Sequence, residues 1–210
     1  MGSIRKELSE QGLMPRKKWG QHFLADKNIL KKVIKTAEIG KEDVVLEVGP
    51  GLGEMTQALA QEAKKVIAVE IDARLVEVLR NKLADTPNVE ILQGDILKFD
   101  VRKHLGSEKR PVKVVANLPY QISTPLLFCF IDSRDLFSAL ILMLQREVAE
   151  RMVAPPGKKA YGPLSVLVQS VANIAICFIV KPSAFFPPPE VESAVIRLSW
   201  KERPMIAPEQ

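Results

Sequence analysis

Seven short apolar runs alternate with amphipathic segments along this chain, and that alternation restricts the fold more than any single residue does. Residues 44–48, 66–69, 89–92, 112–115, 139–144, 174–180 and 194–199 have the length and apolar character of strands. Helical spacing fills most of the intervals. Ile29, Leu30, Val33, Ile34 and Ala37 make one face of 27–38, and Leu75, Val76, Leu79 and Leu83 make one side of 73–83. Further helices are expected at 54–63, 126–131, 145–153 and near 163–172, with 101–110 a charged loop. Strands alternating with helices imply an α/β fold: a mostly parallel seven-stranded sheet with helices on both faces. The last two strands lie around the Pro-rich turn 187–189 and are expected to form an antiparallel hairpin at one edge. In such sheets ligands bind beyond the carboxyl ends of the strands.

The first strand ends in Glu47-Val48-Gly49-Pro50-Gly51-Leu52-Gly53-Glu54. Glycines let the backbone turn sharply and come close to a ligand. A dinucleotide fingerprint starting at Gly49 needs glycine at position 54, which is Glu, and that carboxylate would stand where a pyrophosphate binds. No Gly-Lys-Ser/Thr follows, so the loop is not a P-loop either. A loop of close approach without an anion cradle suits S-adenosylmethionine, which is cationic and carries no phosphate. At the second strand end, Glu70 is placed to accept hydrogen bonds from both ribose hydroxyls. At the third, Asp95 is placed to accept from the adenine amino group, with Ile71 and Ile96 packing the ring faces. Either carboxylate alone reads as a solvated loop residue; the three successive strand ends together carry the inference. The fold is therefore expected to be Rossmann-like, of the class I methyltransferase kind.

The fourth strand runs directly into Asn117-Leu118-Pro119-Tyr120. An exocyclic adenine amine is a poor nucleophile, because its lone pair is delocalised into the ring. Hydrogen bonds from its N–H groups to the Asn117 side-chain oxygen and the Leu118 carbonyl favour a pyramidal nitrogen with an available lone pair. Pro119 stiffens the turn without adding a donor, and Tyr120 offers a face for a base withdrawn from its stack. Catalysis of this kind is positioning plus dipoles aimed at developing charge. Further on, Phe185 and Phe186 precede Pro187-Pro188-Pro189, and Phe185 is a candidate to stack on the opposite face of the base or, equally, to plug the core edge.

Charge is distributed unevenly. The chain has a net charge of +5, but residues 1–35 hold nine cations against three anions, leaving the other 175 near neutral. A basic segment on a neutral body suggests a polyanion, with nucleic acid first. Arg16, Lys17 and Lys18 are the candidate RNA contacts within a basic N-terminal arm, residues 1–26, ahead of a domain spanning 27–200. Cys129 and Cys177 sit in apolar stretches and are expected to be two buried thiols in a reducing cytoplasm. With only two histidines besides, no metal site is expected. No apolar run approaches the ~20 residues a bilayer span needs, and the polar N-terminus has no secretory h-region.

Together these residues resemble the ribosomal RNA adenine dimethyltransferase family, from about Arg16 to Ser199. The motifs are Gly20-Gln21-His22-Phe23-Leu24, 47–53, 117–120 with Ile122-Ser123-Thr124-Pro125, and 183–194. Gln145-Arg146-Glu147-Val148-Ala149 with Ala160-Tyr161-Gly162 looks most like the bacterial housekeeping branch, which modifies two adjacent adenosines near the 3′ end of small-subunit rRNA. The resemblance implies S-adenosylmethionine contacts at His22, Leu24, Gly49, Gly51, Glu70, Asp95 and Asn117. It implies a cytoplasmic enzyme, expected to be monomeric, whose partner is small-subunit rRNA in an immature ribosomal subunit. Two departures stand out. Position 22 is usually Asn in this family; the imidazole here still hydrogen-bonds but adds a titratable group. Members also continue into a small helical C-terminal domain, whereas 201–210, with Pro204 and Pro208, reads as a tail or linker stub, so a shortened chain is expected. The rivals are the antibiotic-resistance branch acting on large-subunit rRNA, a non-catalytic ribosome-assembly factor on the same scaffold, and a small-molecule methyltransferase. DNA N6-adenine methyltransferases share the chemistry but usually carry Asp or Ser where Asn117 stands.

Overall fold

A computed structural model describes residues 2–106, 108 and 111–203. In chain order its main elements are α1 (Gly2–Glu10), β1 (Phe23–Leu24), α2 (Lys27–Ala37), β2 (Val44–Val48), α3 (Glu54–Glu62), β3 (Lys65–Glu70) and α4 (Ala73–Lys82). They continue as β4 (Val89–Gln93), α5 (Val101–Leu105), β5 (Val112–Asn117), α6 (Ser123–Asp132), β6 (Phe137–Gln145) and α7 (Arg146–Val153). The last are α8 (Pro163–Val171), β7 (Ala172–Val180), β8 (Phe185–Phe186) and β9 (Ser193–Trp200).

Successive strand side chains point to opposite faces, so a strand covered on both sides must be apolar throughout. All five residues of β2 are buried. Leu46 and Val48 join Val114, Leu140 and Phe130 in one core cluster, while Val45 joins Val115, Ile141 and Leu59 in the other. Two of the helices around the sheet are started by capping side chains. Asp26 caps α2 by accepting from the amides of Asn28 and Ile29, and Asp72 caps α4 by accepting from Arg74.

The seven-stranded sheet has the order β4-β3-β2-β5-β6-β9-β7. The first five strands are parallel; β9 runs antiparallel to both β6 and β7. The expected hairpin is therefore present, with β9 inserted so that β7 forms the edge. From β2 the chain builds outward through β3 and β4, then returns to place β5 on the other side of β2. Strand order reverses between β2 and β5, where Val48 is paired with Ala116. That crevice is where an open α/β sheet binds its ligand.

Two expectations need correction, and two features were not expected. The basic N-terminal arm contains a docked helix: α1 packs Ile4 and Leu8 against Phe23, Leu52 and Leu75 in a third cluster. Lys82 fastens it by reaching both Glu7 and Glu54, at 2.8 and 2.9 Å. Two apolar residues four apart are too weak a pattern to announce that helix. Within the expected loop 101–110, α5 is formed and capped by Asp100. The chain also carries a second sheet, in which β1 pairs antiparallel with β8, joining Phe23 to Phe186 and Leu24 to Phe185. Finally, Cys177 is exposed and Cys129 half-buried. The β7–β9 register shifts between Ile176 and Phe178, and Cys177 sits in that irregularity on the edge strand. Of the tail 201–210, residues 204–210 lie outside the described residues.

Candidate active site

The carboxyl ends of β2, β3, β4 and β5 open onto one cavity of about 220 Å³. Its wall contains every predicted cofactor and base residue: His22, Leu24, Gly49, Gly51, Glu70, Ile71, Asp95, Ile96, Asn117, Leu118, Pro119, Tyr120 and Phe185. Strand register explains the convergence. Glu70 is paired with Gln93 next to Gly94-Asp95, and Val48 with Ala116, so four distant motifs share one edge.

Gly49 and Gly51 have φ of +67° and +61°, a region that costs other residues steric strain. A Cβ on Gly49, which lines the cavity, would meet nothing within 4 Å, whereas one on Gly51 would meet the Phe23 ring at 3.0 Å. Bare backbone thus borders the cavity on one side of the loop and packs on Phe23 on the other. Glu70 is buried, and its oxygens accept from the amides of Gly51 at 3.2 Å and Asp72 at 2.9 Å. Each carboxylate oxygen has a second lone pair for a ligand hydroxyl. Burial pushes the Glu70 carboxyl above the usual carboxylate range, with those amides working against it. Asp95 accepts from Leu97 at 3.1 Å, which orients it at its strand end.

At the fourth strand end, the Asn117 side-chain nitrogen donates to the main-chain carbonyl of His22 at 2.9 Å. The Leu118 amide donates to Met143 in β6 at 2.9 Å, fixing the turn onto the sheet. The Tyr120 hydroxyl shares a 2.8 Å hydrogen bond with the buried Ser193. Its ring stacks on His22, centroids 5.9 Å apart. Burial raises the Tyr120 hydroxyl above its ordinary value.

Phe185 lines the cavity but is only 1% exposed, packed in the cluster containing Val180, Ala184 and Val195. Its ring is a buried wall rather than an open stacking face. Of the basic candidates, Lys18 lines the cavity mouth and lies over the Trp19 ring at 4.5 Å. Arg16 points elsewhere: its guanidinium lies 3.9 Å from Asp72 and over Trp19 at 4.8 Å. The Lys17 side chain lies outside the described residues.

Two residues carry more than their motif letters suggested. Glu47 is fully buried and lines the cavity; neither of its oxygens has a hydrogen-bond partner of normal geometry, and the buried Thr56 hydroxyl, likewise without one, lies near enough to work against the effect of burial. Burial pushes its carboxyl up to about 8. The only hint in the sequence is a lone acid inside an apolar strand. Asp72, two residues after Glu70, accepts from Gln21 and Arg74; burial opposes its ionisation, but these donors hold it below the usual carboxylate range. It thereby links the segment 16–21 to the Glu70 end of the cavity. Among the described residues no cluster of His, Cys, Asp or Glu is arranged to hold a metal ion, and no helix is long and apolar enough to cross a membrane.

Comparison with known proteins agrees with this geometry. The family model described as ribosomal RNA adenine dimethylase matches residues 12–209. A ribosomal RNA small subunit methyltransferase A from Geobacter metallireducens is 48% identical over 198 residues, covering 94% of this chain and 72% of that protein. Among solved structures, a dimethyladenosine transferase from Plasmodium falciparum superposes with a TM-score of 0.78 at 37% identity, over 86% of this chain and 64% of that one. The 23S rRNA methyltransferase ErmE superposes with a TM-score of 0.77 at 29% identity, over 88% and 72%.

Proposed function

The chain belongs to the ribosomal RNA adenine dimethylase family, and from that premise we propose that it methylates N6 of two adjacent adenosines near the 3′ end of small-subunit rRNA. The product is N6,N6-dimethyladenosine, made in the cytoplasm on an immature ribosomal subunit by a monomeric enzyme. The carrying observation is the Asn117–His22 hydrogen bond. With its nitrogen engaged at His22, the Asn117 amide has its oxygen available to accept from an adenine amine.

The cavity fits S-adenosylmethionine on two counts. Bare backbone at Gly49 leaves room a side chain would fill, and Glu47 is a buried carboxyl group whose ionised form a cation would favour. The cofactor supplies an electrophilic methyl on a sulfonium. Glu70 would hold the ribose hydroxyls, Asp95 the adenine amino group, and Ile71 and Ile96 the ring faces. His22, Leu24 and Gly51 would border the methionine end, together with Glu47. Asn117 and the Leu118 carbonyl would orient the target amine, Pro119 would stiffen their turn, and Tyr120 would support the base. Burial of Phe185 leaves it a shaping wall. Lys17 and Lys18 would meet phosphate, with Lys18 lining the cavity.

The fold does not separate the two ribosomal branches, since both solved relatives superpose equally well. Sequence does: 48% identity to a small-subunit enzyme against 29% to the large-subunit one. The test is to offer labelled S-adenosylmethionine with undermethylated small and large subunits together. Label confined to small-subunit RNA supports the proposal; label in large-subunit RNA would replace it with the resistance-type activity.

A further inference from the structure

Helix α2 carries a row of lysines that the cavity does not use. Lys27, Lys31 and Lys35 recur every fourth residue, which puts them on one side at a pitch of about 6 Å. All three are exposed. With α3 they line a surface groove of about 550 Å³. Three carboxylates share that groove, yet each already faces a cation from outside the row. Glu38 pairs with Arg197 at 2.7 Å, Glu54 with Lys82 at 2.9 Å, and Glu62 with Lys41 at 3.7 Å. Among the described residues no carboxylate reaches ion-pair distance of Lys27, Lys31 or Lys35. The groove therefore presents three uncompensated positive charges in line.

It is also continuous with the reaction site. Leu30 and Glu54 border both the groove and the cavity. Just ahead of Lys27, the amides of Ala25 and Asp26 donate to Ala184 at 2.7 and 3.2 Å, beside Phe185. A strand leaving the cavity along this side meets the lysines in sequence.

We propose that the Lys27-Lys31-Lys35 row is a second RNA-backbone contact, holding phosphates of the strand that flanks the target adenosine. This rests on the reading of the site as an rRNA methyltransferase. Phosphates in a flexible strand can follow a straight row of ammonium groups, and each contact releases counterions.

The test replaces all three lysines in the 210-residue chain by glutamine (Lys27→Gln, Lys31→Gln, Lys35→Gln), a helix-compatible exchange. Binding to an rRNA fragment containing the target adenosines is measured across salt, with S-adenosylmethionine affinity and thermal midpoint as controls. Three lost contacts should flatten the slope of log K against log salt by about 2 and weaken affinity at least tenfold at low salt. Methyl transfer to undermethylated subunits should show a raised KM with kcat retained. An unchanged slope and affinity would overturn the proposal. So would a variant that loses whole subunits but binds the RNA fragment normally, since the groove would then serve an acidic protein. If the unaltered chain labels no small-subunit RNA, the functional reading fails separately.

Discussion

The side chain of Asn117 and the main chain of His22 are joined by a 2.9 Å hydrogen bond across 95 residues. The His22 ring is fixed in turn, its Nδ1 lying 2.7 Å from the Pro187 carbonyl. A carbonyl only accepts, so Nδ1 is the donor in this contact. Three chain segments thus lock one another: the end of β5, the segment before β1, and the Pro-rich loop after β8. The lock decides which end of the Asn117 amide is free for a substrate.

If that amide activates the adenine amine, Asn117→Ala should lower kcat by roughly 10²-fold, the usual effect of deleting one such oriented dipole. S-adenosylmethionine affinity, measured by calorimetry, should change much less. Near-normal turnover would remove Asn117 from the chemistry.

Glu47 makes a pH prediction. Its carboxyl rises from 4.5 to about 8 on burial. Between those values the folded ligand-free protein keeps a proton that the unfolded chain has released, so stability falls as pH rises. At about 1.4 kcal/mol per unit, the loss is a few kcal/mol. Urea titrations at pH 5 and pH 8 should show the fall in the natural protein and a much flatter response in Glu47→Gln. A cation bound beside Glu47 favours the ionised form, so S-adenosylmethionine should bind more tightly as pH rises toward 8, releasing a proton. Glu47→Gln should lose that trend.

Tyr120 offers the half-buried ring at the cavity. Stacking one base on such a ring contributes about 1–3 kcal/mol. Tyr120→Ala should therefore raise KM for the RNA ten- to a hundredfold. Tyr120→Phe keeps the ring but drops the hydrogen bond to Ser193, and should fall much less. Equal losses in both would assign the residue's importance to the hydroxyl.

Because α1 is docked and not a loose arm, its apolar contacts should register in stability. Leu8 is 3% exposed, and Leu8→Ala should cost about 2 kcal/mol, read as a lower urea midpoint with an unchanged slope. A midpoint within error of the natural protein would mean that α1 does not hold the fold.

The sheet and the cavity were legible because their signals are local. A parallel strand buried on both faces is a mostly apolar run, as at Val44–Val48 with Glu47 its one polar residue, and ligand-facing residues follow such runs directly. Glu47–Gly53, Glu70, Asp95 and Asn117 could be placed at strand ends before any coordinates. What escaped notice depends on long-range pairing. The β1–β8 ladder is two residues long, too short for periodicity, and its partners Leu24 and Phe185 lie 161 residues apart. The burial that turns Phe185 from a stacking ring into a wall is set by Val180, Ala184 and Val195, which no local pattern announces. Arg16 is a candidate RNA contact by its charge, but the carboxylate beside it, Asp72, is 56 residues away. The unsatisfied oxygens of Glu47 are likewise visible only once its neighbours are in place.

The most direct test of the central claim is chemical. The chain would be incubated with methyl-labelled S-adenosylmethionine and small subunits lacking the modification, and the RNA digested to nucleosides. The account predicts label in N6,N6-dimethyladenosine from two adjacent positions near the 3′ end of small-subunit RNA, and none with Asn117→Ala. Tight cofactor binding with no labelled dimethyladenosine from those subunits would contradict it.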